Sequence, residues 1–136
     1  FLGLQVYDAR LWAPGGVDGE RWWAAPLALE LAYARRLVGR LIAERSIDEM
    51  RRQRELAAEQ AQAWLAAMND LFPDVAGGDR LTGVLLPGEA ARFYFNGAPR
   101  GELRDAEFAR LFFGIWLAPQ TSEPGLRAQL LGAGAR

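Results

Sequence analysis

RLTGVLLPGEAARFYFNGAPRGELRDAEFARLFFGIWLAP, residues 80–119, decides the fold of this chain. Asn96-Gly97 lies between the apolar run Phe93-Tyr94-Phe95 and the segment Ala98 to Leu103, and both residues accept the positive φ of a two-residue type I′ turn. Pro87-Gly88 separates Leu81 to Leu86 from Ala90 to Phe95, a second reversal, so the stretch reads as a three-stranded antiparallel meander. Pro99 has no amide hydrogen to give to a ladder, which predicts a short or edge strand. Asp105 then precedes Phe108, Leu111, Phe112, Ile115 and Trp116 at helical spacing, and its carboxylate can accept from the free amides of a first turn. The aromatic stripe of that helix needs a cover, and the meander is the nearest one.

Upstream, the apolar residues between Leu56 and Phe72, among them Ala61, Trp64, Met68 and Leu71, fall on one helical stripe, with Glu59, Gln60, Gln62 and Asn69 opposite. Pro73 and Gly77-Gly78 end this helix. Val38 to Arg52 reads as one helix with a kink, in which Ser46 is either a mid-helix serine or, with Glu49, the capping box of a new helix. Leu27 to Tyr33, LALELAY, alternates as a strand with one leucine-rich face. Glu20 to Ala24 reads as a short strand that sends Trp22 and Trp23 to opposite faces, after a loop over residues 14–19. Phe1 to Ala13 reads as a strand with Leu2, Leu4 and Val6 on one face, and a bulge is expected at Asp8-Ala9, where the alternation slips. At the other end, Thr121 to Pro124 supply a cap and a first-turn proline for a closing helix through Leu131, with Gly132 as its stop. Strands and helices run in segregated blocks, which predicts an α+β fold: an open-faced sandwich with an antiparallel sheet carrying helices on one face.

A length of 136 residues fits one domain with a real core. The chain has no cysteine, no histidine and no lysine, so all 16 basic residues are arginine. Thiol nucleophiles, disulfides, most zinc sites, histidine triads and Schiff-base lysines are thereby excluded, and neither a metal nor a cofactor is expected. No run of eighteen apolar residues offers a membrane span. From Arg35 to Arg54, seven arginines face Glu44, Asp48 and Glu49, a local net charge of +4 against −1 for the chain. Such a helix is either a solvated face with Glu/Arg pairs or, through Arg40, Arg45, Arg51 and Arg52, a dock for an acidic partner or a membrane surface. No aromatic residue interleaves with these arginines, which argues against nucleic acid. The chain opens at Phe1 inside an apolar alternating segment, as expected of a domain whose first strand or strands lie upstream.

The segments LIAERSIDEM (41–50), PDVAGGDRLTGVLLPG (73–88), FYFNGAPRGEL (93–103) and DAEFARLFFGIWLAPQTSEPGLRAQLLG (105–132) resemble the bacterial chalcone isomerase-like family over nearly the whole chain. The resemblance implies an open-faced sandwich with a curved sheet, whose cleft between sheet and helices holds the ligand. Plant members of that superfamily either close a flavanone ring or bind fatty acids without catalysis. It also implies a periplasmic or secreted location, by analogy with bacterial relatives that carry an export signal, while a cytoplasmic one stays open. The isomerases' catalytic pattern is not matched. Their arginine would lie before Phe1, their threonine falls at Leu2, their tyrosine near Ser46 and their asparagine near Gln53.

Ring closure by conjugate addition needs a cation beside a phenolate and hydroxyl donors on the ketone, in a dry cleft. Leucine in place of threonine favours an alkyl guest instead. The first expectation is therefore a non-catalytic domain for a small hydrophobic carboxylate, with Leu2, Leu4, Leu31, Tyr33, Phe112 and Trp116 as walls. The second is an intramolecular lyase with Tyr7 or Tyr33 as phenolic donor and an arginine, either Arg35 or one upstream, as clamp. The third is an interaction module built on the basic helix.

Overall fold

The alternation of LALELAY becomes strand β2 (Leu27–Tyr33), with Leu27, Leu29, Leu31 and Tyr33 buried and the residues between them half-buried. In this computed structural model, which describes residues 6–134, β2 is flanked by β1 (Tyr7–Trp12) and β3 (Arg80–Leu86), followed by β4 (Ala90–Phe95) and β5 (Ala98–Leu103). The five strands form one antiparallel sheet in chain order. The β4–β5 reversal is the expected hairpin: Asn96 and Gly97 have φ of 50° and 86°, and Asn96 tolerates that region better than most side chains. Pro99 stands on the edge strand β5, where its missing donor leaves no neighbour unsatisfied.

Four helices, α1 (Gly39–Met50), α2 (Ala58–Leu71), α3 (Ala106–Leu117) and α4 (Pro124–Gly134), complete the α+β architecture. Asp105 caps α3 by accepting from the Phe108 amide at 3.0 Å, and its other oxygen accepts from the Trp64 indole of α2 at 3.0 Å. The buried stripe of α3 lies across β3 and β4, with Phe113 over Gly83 of β3. Phe112 sits among Phe72, Phe93 and Phe108 at centroid distances of 5.9, 5.2 and 5.5 Å. Such ring pairs add about 0.5–1.5 kcal/mol each beyond their burial. α1 rests on α2 and α3 rather than on the sheet, and this offset leaves room beneath it.

Three local expectations are corrected, and the choice between the two readings of Ser46 is decided. Trp22–Ala24 is a 3-10 turn, not a strand, because the Asp18 carboxylate accepts from the amides of Glu20 and Arg21 and curls the chain. Trp22 is buried and Trp23 lies under the Arg110 guanidinium at 3.6 Å. The β1–β2 register runs without a break through Asp8 and Ala9, whereas the sheet's irregularity lies between β4 and β5. There the extra residue is Arg100, which donates to the carbonyls of Leu71 and Asp70 at the end of α2. Helix α1 is unbroken, and the Ser46 hydroxyl donates to the Ile42 carbonyl at 2.8 Å as a mid-helix serine. α4 continues past Gly132, which does not take the positive φ that would end a helix there.

Candidate functional site

The room beneath α1 is a cavity of about 280 Å³ between the sheet and the helices. That volume is near the lower end of small-molecule sites, roughly 300–1,000 Å³. Its floor is Tyr7, Leu31, Tyr33 and Leu81, the inward residues of β1, β2 and β3, brought together by the registers Tyr7↔Tyr33 and Leu31↔Leu81. Phe112, Ile115 and Trp116 of α3 form one wall, and Ile42, Ser46 and Glu49, one face of α1, form the other. The cavity reaches solvent beside Leu41, which lines it and is 47% exposed.

Polar groups gather at one end. Trp116 donates from its indole nitrogen to the Tyr7 hydroxyl at 2.7 Å, a contact between residues 109 apart in the chain. Tyr7 and Tyr33 meet edge to face at 5.7 Å. Glu49 accepts from the Ser122 hydroxyl and stands 3.9 Å from the Arg45 guanidinium. Glu123, at the start of the closing segment, completes this rim. Burial pushes the Tyr7 phenol up to about 12, aided by the charges of Glu123 and Glu49 and opposed by the Trp116 bond and Arg45. Burial raises Tyr33 as well, with the neighbouring Tyr7 as the second cause. Both phenols are therefore neutral near pH 7 and neither can serve as a base there. The protons of Ser46 and Ser122 are committed to Ile42 and Glu49, so neither hydroxyl points a free donor at a guest.

The sequence expectations distribute unevenly over this geometry. Leu31, Tyr33, Phe112 and Trp116 line one cavity, and Tyr7 joins them. Leu2 and Leu4 lie outside the described residues. Arg35 is exposed on the turn after β2 and is not among the lining residues. Of the four helix arginines only Arg45 reaches the cavity. Arg40 pairs with Glu44 at 2.8 Å, Arg51 stands 3.8 Å from Asp48, and Arg52 donates to the Gln120 carbonyl at 3.0 Å. Ser46 lies at the cavity, whereas Gln53 turns away and donates to the Leu111 carbonyl at 2.7 Å. Sequence reasoning missed Leu41, Glu49 and Ser122. The first two carry a signal, because Leu41, Arg45 and Glu49 follow one another at i, i+4 spacing on one face of α1. Ser122 carries none, because its partner Glu49 is 73 residues away.

The sequence profile of a family described as chalcone isomerase-like matches residues 3–132. An uncharacterized protein of Haemophilus influenzae is 33% identical over 129 residues, which is 95% of this chain and 62% of the relative's length. The chain thus spans less than two thirds of that protein. Among solved structures, the crystal structure of an Arabidopsis thaliana fatty-acid binding protein superposes with a TM-score of 0.70 at 12% identity, covering 99% of this chain and 82% of that one. At that identity the likeness is one of fold.

Proposed function

This chain belongs to the chalcone isomerase-like family, and on that premise we propose that it is a non-catalytic domain that binds a small hydrophobic carboxylate, of the fatty-acid kind, between its sheet and its helices. The cavity carries this reading: apolar walls of Leu31, Leu81, Phe112, Ile115 and Trp116, with a single lining arginine where the space meets solvent. An alkyl chain directed inward gains about 0.8 kcal/mol per buried CH2. Its carboxylate then rests at the rim beside Arg45, whose side chain is 43% exposed and holds Glu49 only loosely at 3.9 Å. Glu49 competes with the guest for that cation, so affinity comes mainly from the tail. The fold shared with a plant protein named for fatty-acid binding supports the same class of guest. Ring closure is disfavoured because the serine protons at this end are taken by Ile42 and Glu49 and the one lining arginine, Arg45, stands at the exposed rim beside Glu49.

Titration of the purified protein with a fluorescent medium-chain acyl carboxylate, and native mass spectrometry after gentle extraction, test the proposal. One equivalent of probe is expected to bind, and Leu81→Trp, which plugs the floor, is expected to abolish binding in a protein that stays folded. Binding that survives the plug refutes the cavity as the site. Turnover of a chalcone above the uncatalysed rate refutes the non-catalytic part. The family reading extends to a periplasmic or secreted location, and recovery of the full-length protein from cytosol after cell fractionation refutes that extension.

A further inference from the structure

Leu37 and Leu41, on either side of the entry into α1, line the cavity, and Leu41 is exposed. Val38 and Leu41, 43% and 47% exposed, are two of the three large apolar residues that stand out to solvent among the described residues, and they lie one helical turn apart on the lip. Leu41 is itself part of the cavity lining, so the exposed apolar patch is continuous with the interior. Arg35 and Arg36 precede them, both exposed, and neither has an ion-pair partner among the described residues. The acids at this end are occupied. Glu44 pairs with Arg40, Asp74 accepts from the Gly39 amide at 2.7 Å and so caps α1, and Asp79 accepts from the Ala76 amide and from Asn96. Glu123 stands across the opening.

We propose that this lip, Arg35-Arg36-Leu37-Val38 with Leu41, docks peripherally on an anionic lipid bilayer and sets the cavity mouth against the acyl region. An exposed apolar pair beside uncompensated guanidinium groups fits a surface that is anionic at the headgroups and apolar just below them. A soluble acidic protein would satisfy the arginines and leave Val38 and Leu41 without a matching depth of apolar medium. No helix among the described residues is long and apolar enough to cross a membrane, so the contact is at the surface. Docking does not require that the cavity be occupied. Its failure is read on vesicles and the failure of the ligand proposal on free probe, so the two are separable.

The experiment is flotation of the full chain with vesicles of phosphatidylcholine alone or with about 30% phosphatidylglycerol, where each basic residue at the surface adds measurably to binding. Wild-type protein is expected to float with the anionic vesicles only. Val38→Asp, an acceptable residue at the N-cap of α1, and the pair Arg35→Glu with Arg36→Glu are each expected to cut the bound fraction at least tenfold while melting as the wild type does. The pair Arg21→Glu with Arg51→Glu, equal in charge but remote from the lip, is expected to leave most of the binding. Raising salt from about 0.1 to about 0.5 M should weaken the contact through screening. Absence of flotation overturns the proposal, as does equal loss in the remote pair, which means diffuse charge attraction, or indifference to Val38→Asp. A concentration-dependent dimer in sedimentation velocity that Val38→Asp dissolves also overturns it, because the lip is then covered by a second copy.

Discussion

Replacing Trp116 probes the core and the cavity wall at once. The ring is 5% exposed, meets Phe112 edge to face at 5.4 Å and donates to Tyr7 at 2.7 Å. Truncating a fully packed tryptophan to alanine costs about 3–5 kcal/mol. Here one side of the ring already faces the cavity and has fewer atoms to lose, so Trp116→Ala is expected near the low end, about 3 kcal/mol. Trp116→Phe keeps the contact with Phe112 and removes only the indole donor, and about 1–2 kcal/mol is expected from the smaller ring and the lost hydrogen bond. Both losses fit inside the roughly 5–15 kcal/mol that holds a domain of this size together, so both variants fold and can be compared. Urea unfolding followed by circular dichroism measures them, with the slope checked for constancy so that the midpoint reports stability alone. A loss under about 1 kcal/mol for Trp116→Ala refutes the reasoning, because a ring that packs this closely cannot be removed so cheaply. Equal losses for the two variants refute the assigned split between packing and hydrogen bond.

Three further perturbations have definite signs. Glu49→Gln removes the carboxylate that competes for Arg45, so affinity for a carboxylate probe should rise about three- to tenfold, roughly 1 kcal/mol of charge interaction near a protein surface; fluorescence titration checks it, and unchanged or weaker binding contradicts a rim-bound carboxylate. Gly39→Ala drives a methyl into the Phe72 carbonyl oxygen and to 2.8 Å from the Pro73 carbonyl, backbone atoms that cannot swing aside, and a loss of more than about 2 kcal/mol is expected, whereas a near-native melting temperature shows that the α1 entry is mispositioned. Tyr7 and Tyr33 stay protonated in the fold above the pH at which the unfolded chain ionises, near 10, and the native state then binds more protons than the unfolded one. Stability is therefore full below about pH 10 and falls as pH climbs through about 12 for Tyr7. Urea midpoints from pH 8 upward should decline in Tyr7→Phe less than in wild type, and parallel curves refute the burial of that phenol.

Where the chain makes its own local rules, its sequence was enough. Asn96-Gly97 turns because both residues tolerate positive φ, Asp105 caps because a carboxylate three residues before an amide can reach it, and LALELAY alternates at the period of a strand. Those features rest on contacts within a few residues, and together with segregated blocks they determine an α+β sandwich. The same local reasoning erred at Trp22-Trp23, where the Asp18 side chain offered the backbone a curled alternative that no periodicity records.

The candidate site was legible only as a list of apolar residues. Leu31, Tyr33, Phe112 and Trp116 read equally well as core, and nothing in their spacing says that they stop short of filling the space between them. That void follows from where α1 comes to rest, on α2 and α3 with Gly39 pressed against the Phe72 carbonyl, and from the sizes of side chains supplied by five elements and the segments that join them. The bonds that arrange its polar end join Tyr7 to Trp116 and Glu49 to Ser122 across 109 and 73 residues. Backbone torsions and helical period act over a turn or two of chain, so the sequence by itself determined the elements and their order. Packing acts across whatever the fold makes adjacent, and the tertiary structure alone decided that a space remains, which groups face it, and that Arg45 rather than Arg35 stands at its edge.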